Sequence, residues 1–187
     1  LISKWHHKEK VLSVSVGIII LILLITTWGQ VSHWKNSITI FKHALKVSNE
    51  NSYNSYLINY HLGDAFWNKR KTGEAIFHYK MAIKINPDYA PIYNNLGIIL
   101  GAEGKTEEEI SHYKMAIKIN PDYAKAHSNL GNVLGKEGKF SEAISHHRMA
   151  IKINPDYAKA HSNLGNALGK EGKFSEAIFH YKMAIKL

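Results

Sequence analysis

The sequence predicts an all-α fold: a solenoid, coiled as a right-handed superhelix of helix-turn-helix repeats, preceded by one transmembrane helix. Three observations carry this. A segment copies itself every 34 residues, as Asn86-Pro87-Asp88-Tyr89-Ala90, Asn120-Pro121-Asp122-Tyr123-Ala124 and Asn154-Pro155-Asp156-Tyr157-Ala158. Between these landmarks the filling keeps register, with Leu96-Gly97, Leu130-Gly131 and Leu164-Gly165, and with Met-Ala-Ile-Lys starting at Met81, Met115, Met149 and Met183. Ahead of the repeats, residues 11–32 contain no charged side chain.

Taken in order, residues 1–10 are a basic flank with Lys4, Lys8 and Lys10. Residues 11–32 are almost wholly aliphatic from Val16 to Ile25. At ~1.5 Å per residue they span about 33 Å as a helix, enough for a hydrocarbon core of ~30 Å. Trp28 and Trp34 lie at the far end, where amphipathic rings favour the membrane interface. A buried soluble helix is the bland alternative, but uncharged stretches of this length are rare in soluble domains. A secretory signal needs a small-x-small cleavage site, which Ile25-Thr26-Thr27-Trp28 does not offer. The lysines before the span place that side in the cytoplasm, so the repeats are expected to be extracytoplasmic, although Lys35, Lys42 and Lys46 blunt the bias. The chain starts with Leu, which suggests a fragment whose span could be the last of several.

Residues 33–55 form a juxtamembrane linker with a half-repeat in Trp34 to Val47. Residues 56–187 hold four units, 56–89, 90–123, 124–157 and 158–187, the last stopping after its second helix. In the third unit, Ala124 to about Lys136 is the first helix, with Leu130, Val133 and Leu134 on one side. Gly138 ends it, since glycine adopts the left-handed cap conformation without a Cβ clash. The second helix runs from about Ser141 to Ile153, with Ala143, Ile144, Ala150 and Ile151 at helical spacing. Pro155 forbids continuation, and Asp156 is expected to cap the next helix. Gly131 and Ala143 fit close approach of the helices within a unit, and Ala150 admits the next unit. No unit buries both its faces alone, so the array rests on nearest-neighbour contacts. The last unit should therefore leave an apolar face exposed, for a continuation of the chain or for a partner.

Net charge is +9 and there are no cysteines, which excludes disulfides and thiolate metal sites. The lysines return once per unit among Glu and Asp, without a dense basic run, so a solvated surface outweighs nucleic acid as the main reading. His78, His112, His146 and His180 also recur, one per second helix. Helices pack about 8–10 Å apart and zinc ligands sit ~2 Å from the ion, so these histidines cannot share a metal. No catalytic constellation stands out, and no cofactor is implied. Glu109 departs from the pattern, because Ala75, Ala143 and Ala177 hold its place. Its carboxylate is expected to snorkel out or to shift the helix locally.

The first helices should line the concave side of the superhelix. Lys125, Asn129, Asn132 and Lys136 share one stripe, and Lys159, Asn163, Asn166 and Lys170 share its repeat, at spacings that fall on one helical face. Asn95, Asn129 and Asn163 return in register. An amide both donates and accepts, so such a row can grip an extended peptide by its backbone, and the lysines would favour an acidic one. Alternatively, these amides satisfy neighbouring groups within the solenoid. Gly101, Gly135 and Gly169 sit late in the first helices, where Trp67 stands in the first unit; they read either as a bare floor under a ligand or as fraying ends.

The 34-residue period, the Leu-Gly pair, the later alanine and the terminal proline form the tetratricopeptide pattern. His127-Ser128-Asn129-Leu130-Gly131-Asn132 and Gly138-Lys139-Phe140-Ser141-Glu142-Ala143-Ile144 resemble the repeats of the O-GlcNAc transferase type. That resemblance implies an asparagine ladder holding substrate peptides, at Asn95, Asn129 and Asn163; His61 takes the place in the first unit. The chaperone-tail type uses a clamp of Lys and Asn for two carboxylates, and here Ser128 and Ser162 replace a clamp lysine. Trp34-Lys35-Asn36-Ser37 followed by Phe41-Lys42-His43-Ala44-Leu45 is similar to the juxtamembrane segment of transmembrane-and-tetratricopeptide glycosyltransferases, in which a multi-span catalytic part precedes extracytoplasmic repeats. Two functions are thereby implied: a membrane-tethered scaffold binding protein or peptide segments, or the non-catalytic substrate-recognition part of a membrane glycosyltransferase.

Overall fold

The structure, a computed structural model, describes residues 36–48 and 52–187. The expected membrane span at 11–32 and its basic flank lie outside the described residues. Among the described residues, no helix is long and apolar enough to cross a membrane.

The described helices are α1 (Ser37–Val47), α2 (Ser55–Asn68), α3 (Thr72–Ile85), α4 (Ala90–Ala102), α5 (Thr106–Ile119), α6 (Ala124–Lys136), α7 (Phe140–Ile153), α8 (Ala158–Lys170) and α9 (Phe174–Lys186). The pairs α2–α3, α4–α5, α6–α7 and α8–α9 are the four units, and each pair packs on the next. α1 is the half-repeat. Asn36 caps it by accepting from the Thr39 N–H at 3.1 Å, and Ile38, Phe41 and Leu45 pack on the core of the first unit.

Turns within units follow one design. Gly104, Gly138 and Gly172 have φ of 76°, 77° and 78°. After each, a lysine N–H reaches back to a leucine carbonyl: Lys105 to Leu100, Lys139 to Leu134 and Lys173 to Leu168, each at 2.9 Å. This closes the end of the first helix by satisfying carbonyls that have no partner within it. The first unit does the same with Arg70 at φ 59°, a conformation that costs a side-chain-bearing residue about 1–2 kcal/mol.

Turns between units differ from expectation. Asp156 does not cap α8. The cap residue is Tyr157, with no side-chain hydrogen bond. The preceding asparagine organises the turn instead: Asn86, Asn120 and Asn154 accept from the N–H of Asp88, Asp122 and Asp156 at 3.1, 3.0 and 3.2 Å. A short amide two residues upstream reaches that N–H and leaves the aspartate in solvent.

The core runs through all units. Leu62, Leu96, Leu130 and Leu164 are buried, as are Ala82, Ala116 and Ala150 where consecutive units meet. The glycine after each leucine lies under a ring of the second helix. A Cβ on Gly63, Gly97, Gly131 or Gly165 would come within 2.5–2.7 Å of Tyr79, Tyr113, His147 or Tyr181. The close approach expected of Gly131 is therefore made to an aromatic ring and not to Ala143. Along α9, Phe174, Ile178, Phe179 and Ile185 are exposed, which matches the expected apolar face.

Candidate peptide site between the third and fourth units

The four rings stand at one repeat position, and the site comes from how each unit completes it. In the first unit Tyr79 donates its hydroxyl to Asp64 Oδ1 at 2.5 Å. Asn95, from the next unit, donates its amide to the same carboxylate oxygen at 2.8 Å. Burial, and then the hydrogen bond to Asp64, push the Tyr79 hydroxyl pKa up, so it stays protonated and donates.

The second unit has Ile98 where the first has Asp64. Its carboxylate arrives instead from α5: Tyr113 donates to Glu109 Oε1 at 3.2 Å. Glu109 neither snorkels out nor distorts the helix. It lies over Gly101, where a Cβ would meet its carboxyl carbon at 2.5 Å. The oddities at Gly101 and Glu109 explain each other, and neither the bare floor nor the frayed end describes Gly101.

The third unit has neither device. Asn132 holds the Asp64 position, Ala143 the Glu109 position, and His147 the tyrosine position. His147 is only 2% exposed, and its Nδ1 has no hydrogen-bond partner among the described residues. Burial, and secondarily His146, lower its pKa to about 4, so the ring is neutral near pH 7. A cavity of about 360 Å³ opens beside it, lined chiefly by Asn132, Lys136, Asn163, Asn166 and Lys170 over Gly135 and Ala167.

The predicted asparagine row is thus three different things. Asn95 is bound to Asp64. Asn129 donates to Asn94 Oδ1 at 2.9 Å, and Asn94 donates to Asn95 at 3.1 Å, so a relay of amides links three units. Ser128 occupies the Asn94 position in the third unit and is too short to continue it. Ser128 Oγ and Asn163 Nδ2 are left buried and unpartnered among the described residues. For Asn95 and Asn129 the donors are spent within the solenoid, while that of Asn163 is not. Asn166 accepts from Tyr181 at 2.7 Å. Of the nine predicted residues, Asn132, Asn163, Asn166, Lys136 and Lys170 line the cavity. Lys125 and Lys159 are exposed near the starts of α6 and α8 and do not. His147 was not among the predicted residues, although its exchange for a repeated tyrosine was a visible signal.

Of the recurrent histidines, His146 and His180 form structural pairs with other histidines, while His112 meets the Glu108 carbonyl of its own helix at 3.0 Å. His127 Nε2 donates to the Pro121 carbonyl at 3.0 Å, so its Nδ1 accepts from His146 Nδ1, also at 3.0 Å. His161 and His180 repeat this, with Pro155. His78 meets Asn59 at 2.9 Å in the first unit. Among the described residues, no three His, Cys, Asp or Glu side chains are grouped to hold a metal ion.

The repeat architecture and its closing motifs define an all-α solenoid of the kind that serves as an interaction scaffold. A TPR repeat profile matches residues 63–104, 99–138 and 131–172, and a tetratricopeptide repeat profile matches residues 158–187. The chain belongs to the tetratricopeptide repeat family, and its repeats imply protein or peptide partners. A crystal structure of MamA is similar, with a TM-score of 0.66 at 26% identity, over 80% of this chain and 85% of that one. A second MamA structure gives 0.64 at 26% identity, over 80% and 79%. PilF of Pseudomonas aeruginosa gives 0.71 at 20% identity, over 90% and 73%, a likeness of fold alone. No curated protein matches the chain.

Proposed function

We propose that the chain is a non-catalytic scaffold that holds an extended segment of a partner protein along its first helices, with the junction of the third and fourth units as the point of strongest grip. The observation that carries this is the cavity where Asn163, an amide donor without a partner among the described residues, converges with Asn132, Asn166, Lys136 and Lys170. Two lysines and no carboxylate line it, which supports an acidic segment. Tethering to the bilayer through residues 11–32, with the repeats outside the cytoplasm, is part of the proposal and rests on the uncharged run in the sequence. The alternative, a substrate-recognition part of a membrane glycosyltransferase with repeats of the O-GlcNAc transferase type, rests on the motifs around Trp34 and His127.

A peptide-array screen of the full chain, followed by titration of the best binders, tests the scaffold reading. Asn163→Ala should weaken binding about 10-fold, the upper range for one net hydrogen bond. Asn95→Ala should act through stability, because its amide already serves Asp64. Unchanged affinity in Asn163→Ala with intact helicity would move the binding surface elsewhere.

A further inference from the structure

We infer that the second helices present a repeated face of cations and exposed apolar side chains that docks on an anionic lipid surface. The peptide site lies chiefly on the first helices, so the two surfaces are independent.

The net charge of +9 is unevenly placed. Lys80 and Lys84 of the first unit return as Lys114 and Lys118, as Arg148 and Lys152, and as Lys182 and Lys186. The half-repeat α1 carries the same pair as Lys42 and Lys46. Members of a pair are four residues apart and share one helix face. All of them are exposed. The acids of the second helices are confined to the first turn, from Glu74 in α3 to Glu176 in α9. Their later turns contain no Asp or Glu. Among the described residues, only Arg148 of these cations forms an ion pair, with Glu176 at 2.8 Å. The pairs also align from one unit to the next. Burial lowers the pKa of His78, His146 and His180, and a cation of the preceding second helix (Lys42, Lys114 or Arg148) lowers each further. A row of cations therefore runs from second helix to second helix along the solenoid.

This row is not purely polar. One turn before the first cation stand Phe77 in the first unit and Phe179 in the fourth, both 58% exposed. Residues 74–84 and 176–186 are identical in sequence. α3 is covered by α4, whereas α9 has no such neighbour among the described residues. Equal exposure in both settings means that Phe179 points outward whatever meets the last unit. Met115 and Met149 follow the first cation in the other two units and are each 40% exposed. There the face is hollowed. A cavity of about 420 Å³ is lined by Lys114 and Lys118 with Ile110 and Met115. Its repeat, about 400 Å³, is lined by Arg148 and Lys152 with Ile144 and Met149. Glu107 also lines the first cavity and Glu171 the second, where Lys173 holds it at 2.8 Å. A dissolved polyanion matches the cations and offers nothing to exposed phenylalanine and methionine. A bilayer surface offers phosphates beside hydrocarbon, which matches both.

The chain has no cysteine, so a single label can be placed at will. Ser145→Cys on the exposed face of α7 carries a polarity-sensitive dye, and Lys159→Cys on α8 is the control. The full chain is reconstituted into vesicles of phosphatidylcholine alone and of phosphatidylcholine with phosphatidylglycerol. Comparing the two lipids separates docking of this face from any anchoring by residues 11–32. The Ser145 dye should shift to the blue, and become accessible to a headgroup-attached quencher, only with phosphatidylglycerol. The shift should reverse at about 1 M salt, where the Debye length is about 3 Å. The Lys159 dye should not respond. Each cation near an anionic surface is worth roughly fivefold. Changing Lys114, Lys118, Arg148 and Lys152 together to Gln should therefore reduce docking roughly several-hundred-fold and abolish the shift, with the helical spectrum kept. An equal Ser145 shift in both kinds of vesicle overturns the inference, as does no shift with phosphatidylglycerol. A shift caused only by soluble polyglutamate or RNA assigns the face to another partner and overturns it too. None of these outcomes bears on the Asn163→Ala test of the peptide site.

Discussion

Replacing His147 with tyrosine should raise stability and flatten its fall in acid. The ring position needs no adjustment: His147 Cε1 lies 2.7 Å from a Cβ on Gly131, as Tyr181 Cε1 lies 2.7 Å from one on Gly165. The new hydroxyl would reach Asn132 as Tyr181 reaches Asn166, a net gain of about 1 kcal/mol. The pH term is larger. The folded His147 has a pKa lowered to about 4 from 6.5, so the native state binds fewer protons than the unfolded chain. Its contribution is intact above about pH 6.5 and is lost as pH falls from there towards 4. By linkage the loss is about 2 kcal/mol at about pH 5, and about 3 kcal/mol once pH is below both values. Burial also lowers the pKa of His78, His127, His146 and His180, so both proteins lose stability in acid. The readout is therefore the difference between them. Urea unfolding followed by circular dichroism at about pH 8 and about pH 5 should show His147→Tyr ahead by ~1 kcal/mol in the first and ~3 kcal/mol in the second. Parallel pH profiles for the two proteins would refute the assignment of His147 as a buried neutral ring.

Three other outcomes are expected. Gly101→Ala should destabilise the wild type by displacing Glu109, but should stabilise a Glu109→Ala background by about 1 kcal/mol through helix propensity; a thermal-melt double-mutant cycle measures the change of sign. Asp64→Asn should cost about 1.5–3 kcal/mol, since a carboxylate holding Tyr79 and Asn95 becomes an amide, and chemical denaturation reads the loss. Residues 35–187 expressed alone should be soluble and helical, whereas the full chain should require detergent; a full chain that stays in the aqueous fraction after ultracentrifugation removes the proposed span.

Much of this was legible in the sequence because the repeat is nearly invariant. The 34-residue period fixed where each helix begins, and Gly138 and Gly172 marked the turns that the structure closes with left-handed glycines. The asparagine row was visible in the same way. Its division was not, because the fate of each amide depends on a residue from another helix. Asp64 takes the Asn95 donor across 31 residues, and Asn94 takes that of Asn129 across 35. The Glu109–Gly101 pairing was equally hidden: Glu109 looked like a lone departure and Gly101 like one of three recurring glycines, and only packing shows that one carboxylate fills one missing Cβ. The Asn154 turn was misassigned to Asp156 because both are good capping residues and only geometry separates them.

In a chain built from copies, function is best sought where the copies disagree. At one junction four positions differ from those of an earlier unit: Asn132 for Asp64, Ser128 for Asn94, His147 for tyrosine, and Ala143 where the second unit has Glu109. Separately, each would read as drift. Together they withdraw two carboxylates, one amide acceptor and one hydroxyl from the same few ångströms, and they leave buried donors unmatched. Unmatched buried donors cost about 1–3 kcal/mol each, so a purely structural junction gains nothing by keeping them. The first and second junctions show two ways of removing that cost from within. The third keeps it, beside two lysines and an open face, which is the arrangement expected of a site whose missing acceptor comes from outside the chain.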